Sequence, residues 1–112
     1  MEVDMRHKHN KQLIKDIKQE LEKEFGDLIS KVSLFGSRID RSARNDSDYD
    51  VLIVLKEIVE WQEKDKILDA IALLNVKHDC IIDAHIVAEP ELSTLKGKQP
   101  YIREALKTGI TA

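Results

Sequence analysis

The chain has 112 residues, of which 42% are apolar, 35% charged and only 4% aromatic, with a formal net charge of −3. That length suits a single domain over residues 1–112, built on one mostly aliphatic core. The scarcity of aromatic rings argues against a stacking platform for single strands, and the mild negative charge attracts no polyanion, so direct nucleic-acid binding is not expected.

The N-terminus is charged and has no apolar core of the kind a signal peptide needs, so none is expected. Its basic cluster "RHKHNK" reads as the solvated start of a helix. "KQLIKDIKQELEKEF" continues it, with Leu13, Ile14, Ile17, Leu21 and Phe25 at helical spacing and Lys and Glu between them. Gly26 marks its last turn. "KVSLF" is a short strand ended by Gly36. "DYDVLIVLK" is the strongest strand, bounded by the polar loop "RSARNDS". "EWQEKDKILDAIALLN" predicts a second helix with Ile67, Leu68, Ile71 and Leu74 on one face. "CIIDAHIV" is a third strand, closed by Pro90. "YIREALKTG" is a closing helix between Pro100 and Gly109.

Strands one and two can pair as an antiparallel hairpin, and strand three returns after a helical crossover. The expected fold class is α/β of the α+β type: a small mixed sheet with helices packed on it. No apolar run is long enough to span a bilayer. Cys80 is the single cysteine and has no partner for an internal disulfide or a CxxC metal pair, which suits the reducing cytosol.

The chemistry concentrates in "SLFGSRIDRSARNDSDYDVLIV". Ten residues, 38 to 47, separate Ser37 from Asp48. Side chains alternate along a strand, so Asp48 and Asp50 share a face while Tyr49 and Val51 take the other. On the third strand Asp83 shares a face with Ile81, His85 and Val87, and it is the acid inside an otherwise apolar run. Buried there without a partner it would be costly. Two acids on one strand and one on a neighbour offer oxygens to a hard cation such as Mg²⁺, and three carboxylates can hold two such ions around a phosphoryl group. Gly36 permits a sharp turn, the Ser37 hydroxyl and nearby N–H groups could cradle phosphate oxygens, and Arg38 adds positive charge.

The order Gly-Ser, a spacer of ten, Asp-x-Asp before an aliphatic strand, then a later strand Asp resembles the DNA polymerase β-type nucleotidyltransferases. "LFGSR", "SDYDVLIV" and "QPYIREALKTGI" narrow the resemblance to the minimal nucleotidyltransferases of bacteria and archaea. It covers nearly the whole chain from about residue 10. The resemblance implies a mainly antiparallel mixed sheet flanked by helices. It also implies a metal-dependent enzyme moving a nucleoside monophosphate, AMP from ATP, to a hydroxyl. Gly36, Ser37 and Arg38 would hold the triphosphate. Asp48 and Asp50 would ligate two Mg²⁺ ions, and Asp83 would complete the metal site and help deprotonate the acceptor. Relatives often pair with a HEPN-type helical protein as a toxin–antitoxin module, some adding AMP to a tyrosine of that partner. Tyr49 departs from the aliphatic residue commoner at its position, and "IDRSARND" lacks a glycine that many relatives have.

Plainer readings stand beside these. Asp48 and Asp50 alone would pass for turn acids, and Asp83 for a strand-edge acid facing solvent. Asp79 competes with Asp83 but sits in the turn "KHD". His85 shares the face of Asp83, yet a lone strand histidine is more often structural, so it stays outside the expected catalytic set. The alternative function is an antitoxin-like subunit that acts by complex formation with little or no catalysis. A homo-oligomer remains open.

Overall fold

The apolar run at 51–55 becomes the middle of a sheet. The structure, a computed structural model, describes residues 5–35, 48–94, 102–103 and 109–112. In chain order its elements are α1 (Met5–Phe25), β1 (Ile29–Phe35), β2 (Asp48–Leu55), α2 (Trp61–His78), β3 (Ile81–Ala88) and the two-residue β4 (Ile110–Thr111). The described strands lie in the order β3-β2-β1-β4. β1 pairs antiparallel with β2 and with β4, and β2 pairs parallel with β3. A parallel pair needs a crossover, which α2 provides. The sheet is therefore mixed and mainly antiparallel, as expected.

Alternation along β2 divides the core in two. Tyr49, Val51, Ile53 and Leu55 face α1 and α2 and pack with Leu13, Ile14, Ile17, Leu21, Ile67, Ile71 and Leu74. Leu52 and Val54 face the other way, where they form a smaller cluster with Phe35, Val87 and Ile102. One face of the sheet is thus sealed by two helices. The other carries a small apolar cluster, and the acids lie beside it.

Helix α1 reaches back to Met5, so "MRHKHN" is helical as well. It ends at Gly26, whose φ of 60° is costly for any residue with a Cβ. Helix α2 buries Ile67, Ile71 and Leu74, but Leu68 is 44% exposed and does not share their face. Residues 67 and 68 stand 100° apart around the axis, and the core stripe is too narrow to take both. Helix α2 ends in a Schellman turn. The Cys80 N–H donates to the Asn75 carbonyl at 3.1 Å and the Asp79 N–H to that of Val76 at 3.4 Å, with Asp79 left-handed at φ 51°. The Asn75 side-chain carbonyl then accepts from the Ile82 N–H at 2.8 Å, tying the helix end to the start of β3.

Strand β4 was not foreseen. It is held by backbone bonds between Val32 and Ala112, at 2.9 and 3.2 Å, and by a 2.7 Å hydroxyl contact between Ser33 and Thr111. Of the closing helix expected at 101–109, residues 102–103 are described and helical, with Ile102 fully buried. No described helix is long and apolar enough to cross a membrane.

The middle strand should carry the fold. Ile53 is fully buried, so Ile53→Ala is expected to cost about 2–5 kcal/mol in urea unfolding. Leu73, 74% exposed on α2, is the control: Leu73→Ala should change stability by no more than about 0.5 kcal/mol. Equal losses at the two positions would contradict the assignment of the core.

Candidate active site on the sheet face opposite the helices

The register of β2 against β3 brings the acids together. Asp50 pairs with Asp83, and Leu52 with His85. Neighbouring strands lie ~4.8 Å apart, so two paired side chains on one face meet directly. Both acids sit on the face opposite α1 and α2, since the residues flanking Asp50, Tyr49 and Val51, belong to the helix-side core. His85 follows Asp83 by two residues and shares its face. Its Nε2 lies 3.6 Å from Asp83 Oδ2. Asp50, Asp83 and His85 each offer a ligand atom, and these atoms lie within 4.8 Å of one another. Phe35, the last residue of β1, pairs with Asp50 across the sheet, and its ring stands 5.7 Å from the His85 ring at 54°. The site therefore lies beside the end of β1, the strand that Gly36 follows in the sequence.

Of the two environments the sequence left open for Asp83, the structure takes the strand edge facing solvent. β3 is an edge strand of the described sheet, and the Asp83 side chain is 64% exposed. The carboxylate thus keeps most of its hydration, and no burial penalty has to be offset. Asp50 is half-buried, and the His85 side chain is 32% exposed. For Asp48 the description covers the backbone alone: it opens β2 opposite Ile81. Gly36, Ser37 and Arg38 lie outside the described residues. Asp79 is taken up by the turn that ends α2 and is not in the cluster. Tyr49 is buried on the helix side, away from the acids. His85 is the residue that sequence reasoning set aside. The signal was present in "DAH", since residues two apart on a strand share a face.

Residues 15–109 match the family described as Polymerase beta, Nucleotidyltransferase. The chain belongs to the polymerase beta nucleotidyltransferase family. Its length and motifs fit the minimal nucleotidyltransferases within it. Over 71 residues, 63% of this chain and 72% of the other, it is 34% identical to a Methanocaldococcus jannaschii protein named "Putative protein adenylyltransferase MJ0141". Two solved structures share the fold. One, from Sulfolobus solfataricus and described as "a putative nucleotidyltransferase", superposes with a TM-score of 0.57 at 23% identity, over 86% of this chain and 78% of that one. The other is the spectinomycin adenyltransferase AAD(9) from Enterococcus faecialis, solved with ATP and spectinomycin. It gives a TM-score of 0.58 at 23% identity over 73% of this chain. This nucleotidyltransferase spans 35% of the length of that larger protein.

The donor set suits a divalent cation. Carboxylate oxygens from paired positions on two strands, with an imidazole beside them, supply three donors on one face without any change of backbone. Like charges directly opposite each other across strands are destabilising, and the His85 imidazole stands 3.6 Å from Asp83, so the two effects have to be separated. In the His85→Gln background, Asp83→Asn is expected to raise the stability of the metal-free protein in chelator-treated urea melts. A loss of stability on this substitution would show that the carboxylate serves the fold rather than a site.

Proposed function

We propose that this chain is a Mg²⁺-dependent adenylyltransferase that moves AMP from ATP to a hydroxyl of a protein acceptor, releasing pyrophosphate. The observation that carries the reading is the pairing of Asp50 with Asp83 on the sheet face opposite the helices, at the end of β1 that leads into Gly36 and Ser37. The name of the Methanocaldococcus jannaschii relative supports a protein acceptor, and the ATP solved with AAD(9) supports the nucleotide. The acceptor we favour is a tyrosine of a HEPN-type helical partner, in the cytosol.

Each side chain has a task in this reading. Gly36 lets the backbone approach the triphosphate, and the Ser37 hydroxyl and the Arg38 guanidinium donate to its oxygens. Asp48, Asp50 and Asp83 hold two Mg²⁺ ions, which when bound supply charge neutralisation at the phosphates and polarise the acceptor oxygen. Asp83, more exposed than Asp50, accepts a hydrogen bond from the incoming hydroxyl and orients it. The acceptor oxygen forms a bond to the α-phosphorus, and the bond from that phosphorus to the bridging oxygen of the β-phosphate breaks. The hydroxyl proton leaves to the carboxylate and then to solvent.

Two measurements test this. ATP with Mg²⁺ at about 100 times the Kd should stabilise the protein by roughly 2.7 kcal/mol, and Asp48→Asn with Asp50→Asn should remove that gain. An undiminished melting shift in the double variant would refute the metal assignment. Asp83→Asn should keep measurable nucleotide binding yet lose transfer by about a hundredfold or more. Transfer is read as an AMP-sized mass increase on the protein encoded beside this chain. Equal modification by native protein and variant would move the acid–base role elsewhere.

One observation favours a second reading. Leu73 and Val76 of α2 are 74% and 81% exposed, which suits a subunit that works by covering a partner. A complex that forms without any mass increase would select that reading.

A further inference from the structure

Residue His85 is not needed by the reading above, yet it stands inside the site. We propose that His85 is a ligand of the same cation as Asp50 and Asp83, making this a mixed carboxylate–imidazole centre that takes Mn²⁺ in preference to Mg²⁺. The inference rests on the reading that Asp50 and Asp83 hold a divalent cation.

Three features of the geometry point to it. The three donor atoms lie within 4.8 Å of one another, and the His85 Nε2 to Asp83 Oδ2 distance is 3.6 Å. An ion with bonds of about 2.0–2.2 Å holds neighbouring donors about 3 Å apart and opposite donors about 4.2 Å apart. The 3.6 Å separation falls inside that range and no pair of the three lies beyond 4.8 Å, so small side-chain rotations suffice. The second feature is the strand itself. Spacing of two on β3 keeps Asp83 and His85 on one face, and the β2–β3 register sets Asp50 beside them, so all three donors stand on paired strands and not on loops. The third is Phe35. It is buried, and its ring packs at 5.7 Å and 54° against the imidazole, which restricts how the ring can turn. A ring held in this way loses little freedom when its nitrogen binds a cation.

The choice of metal follows from the donor. Mg²⁺ dehydrates reluctantly and favours oxygen, so an imidazole adds little to its binding. Mn²⁺ accepts carboxylates and imidazole together, and nitrogen donors strengthen its site relative to that of Mg²⁺. An ordinary contact between His85 and Asp83 predicts no such selectivity, because a histidine that only orients the acid would serve both ions alike.

The test uses the full chain labelled with ¹⁵N-histidine and titrated with Mn²⁺, alone and with a non-hydrolysable ATP analogue. Electron paramagnetic resonance reads the bound ion, and electron spin-echo modulation reads a coupled ¹⁵N nucleus. Mg²⁺ affinity comes from competition against Mn²⁺. The native protein should show the nitrogen coupling. His85→Gln should abolish it, lower Mn²⁺ affinity by roughly tenfold or more and leave Mg²⁺ affinity nearly unchanged. His78→Gln should keep the coupling, as should a variant lacking His7 and His9. Mn²⁺ binding that needs Asp50 but shows no histidine coupling would overturn the role of His85 and leave the carboxylate site standing. Coupling that survives in His85→Gln would also overturn it, by locating the ion at another histidine. No Mn²⁺ binding under either condition would overturn both this inference and the metal-dependent reading beneath it.

Discussion

The parallel pairing of β2 with β3, in the register that sets Asp50 against Asp83, is the constraint on which the rest of the molecule depends. The register is fixed by burial. Ile82 and Ala88 of β3 are buried on the helix side, and Tyr49, Val51, Ile53 and Leu55 of β2 are buried beside them. A slip of β3 by one residue would turn Ile82 and Ala88 outward and drive Asp83 into the aliphatic core. The apolar core and the acid pair are therefore specified by the same alternation. The energy that holds the register comes from the core, and the placement of the carboxylates follows from it.

The connection between those strands has its own supports. Helix α2 must stop and reverse within a few residues to deliver β3 in register. The Schellman turn at Asp79 does this, and the Asn75 side chain then satisfies the Ile82 N–H on the sheet edge. A left-handed aspartate costs more than a glycine would, and the paired carbonyls and the side-chain bond offset it. At the other side of the sheet β4 caps β1 with two backbone bonds and the Ser33–Thr111 contact, so that edge of β1 is not left open.

Much of this was legible in the sequence, and the failures have physical causes. β2 could be read because "VLIV" is buried on both faces, which demands continuous apolar character. Helix α1 was clear from its stripe. Leu68 was misplaced because a helix with apolar residues on several faces gives no unique direction for its core side. β4 was missed because two residues carry no period, and its pairing is decided by neighbours distant in the chain. Asp83 was rightly placed beside Asp50, but the sequence left both a buried and a solvent-facing edge position open for it: edge or interior position is a property of strand order, which local patterning does not contain. His85 was set aside for a related reason. A histidine on a strand face has no meaning until its neighbours across the sheet are known, and the parallel register supplies them.

The exposure of Asp83 bears on how such a small domain can do chemistry at all. A buried acid pair would draw on the stability of a small core, because each desolvated carboxylate costs several kcal/mol. Here the acids stand on the face without the two long helices, Asp83 on an edge strand with its side chain largely exposed and Asp50 half-buried, so water reaches them. The two carboxylates still face each other across the strands, with the His85 imidazole beside Asp83. The rigidity needed for positioning comes from the sealed face, a few ångströms behind the acids, where Val51 and Ile53 are fully buried. Rigid support on one side and hydration on the other let the site be ordered without being buried.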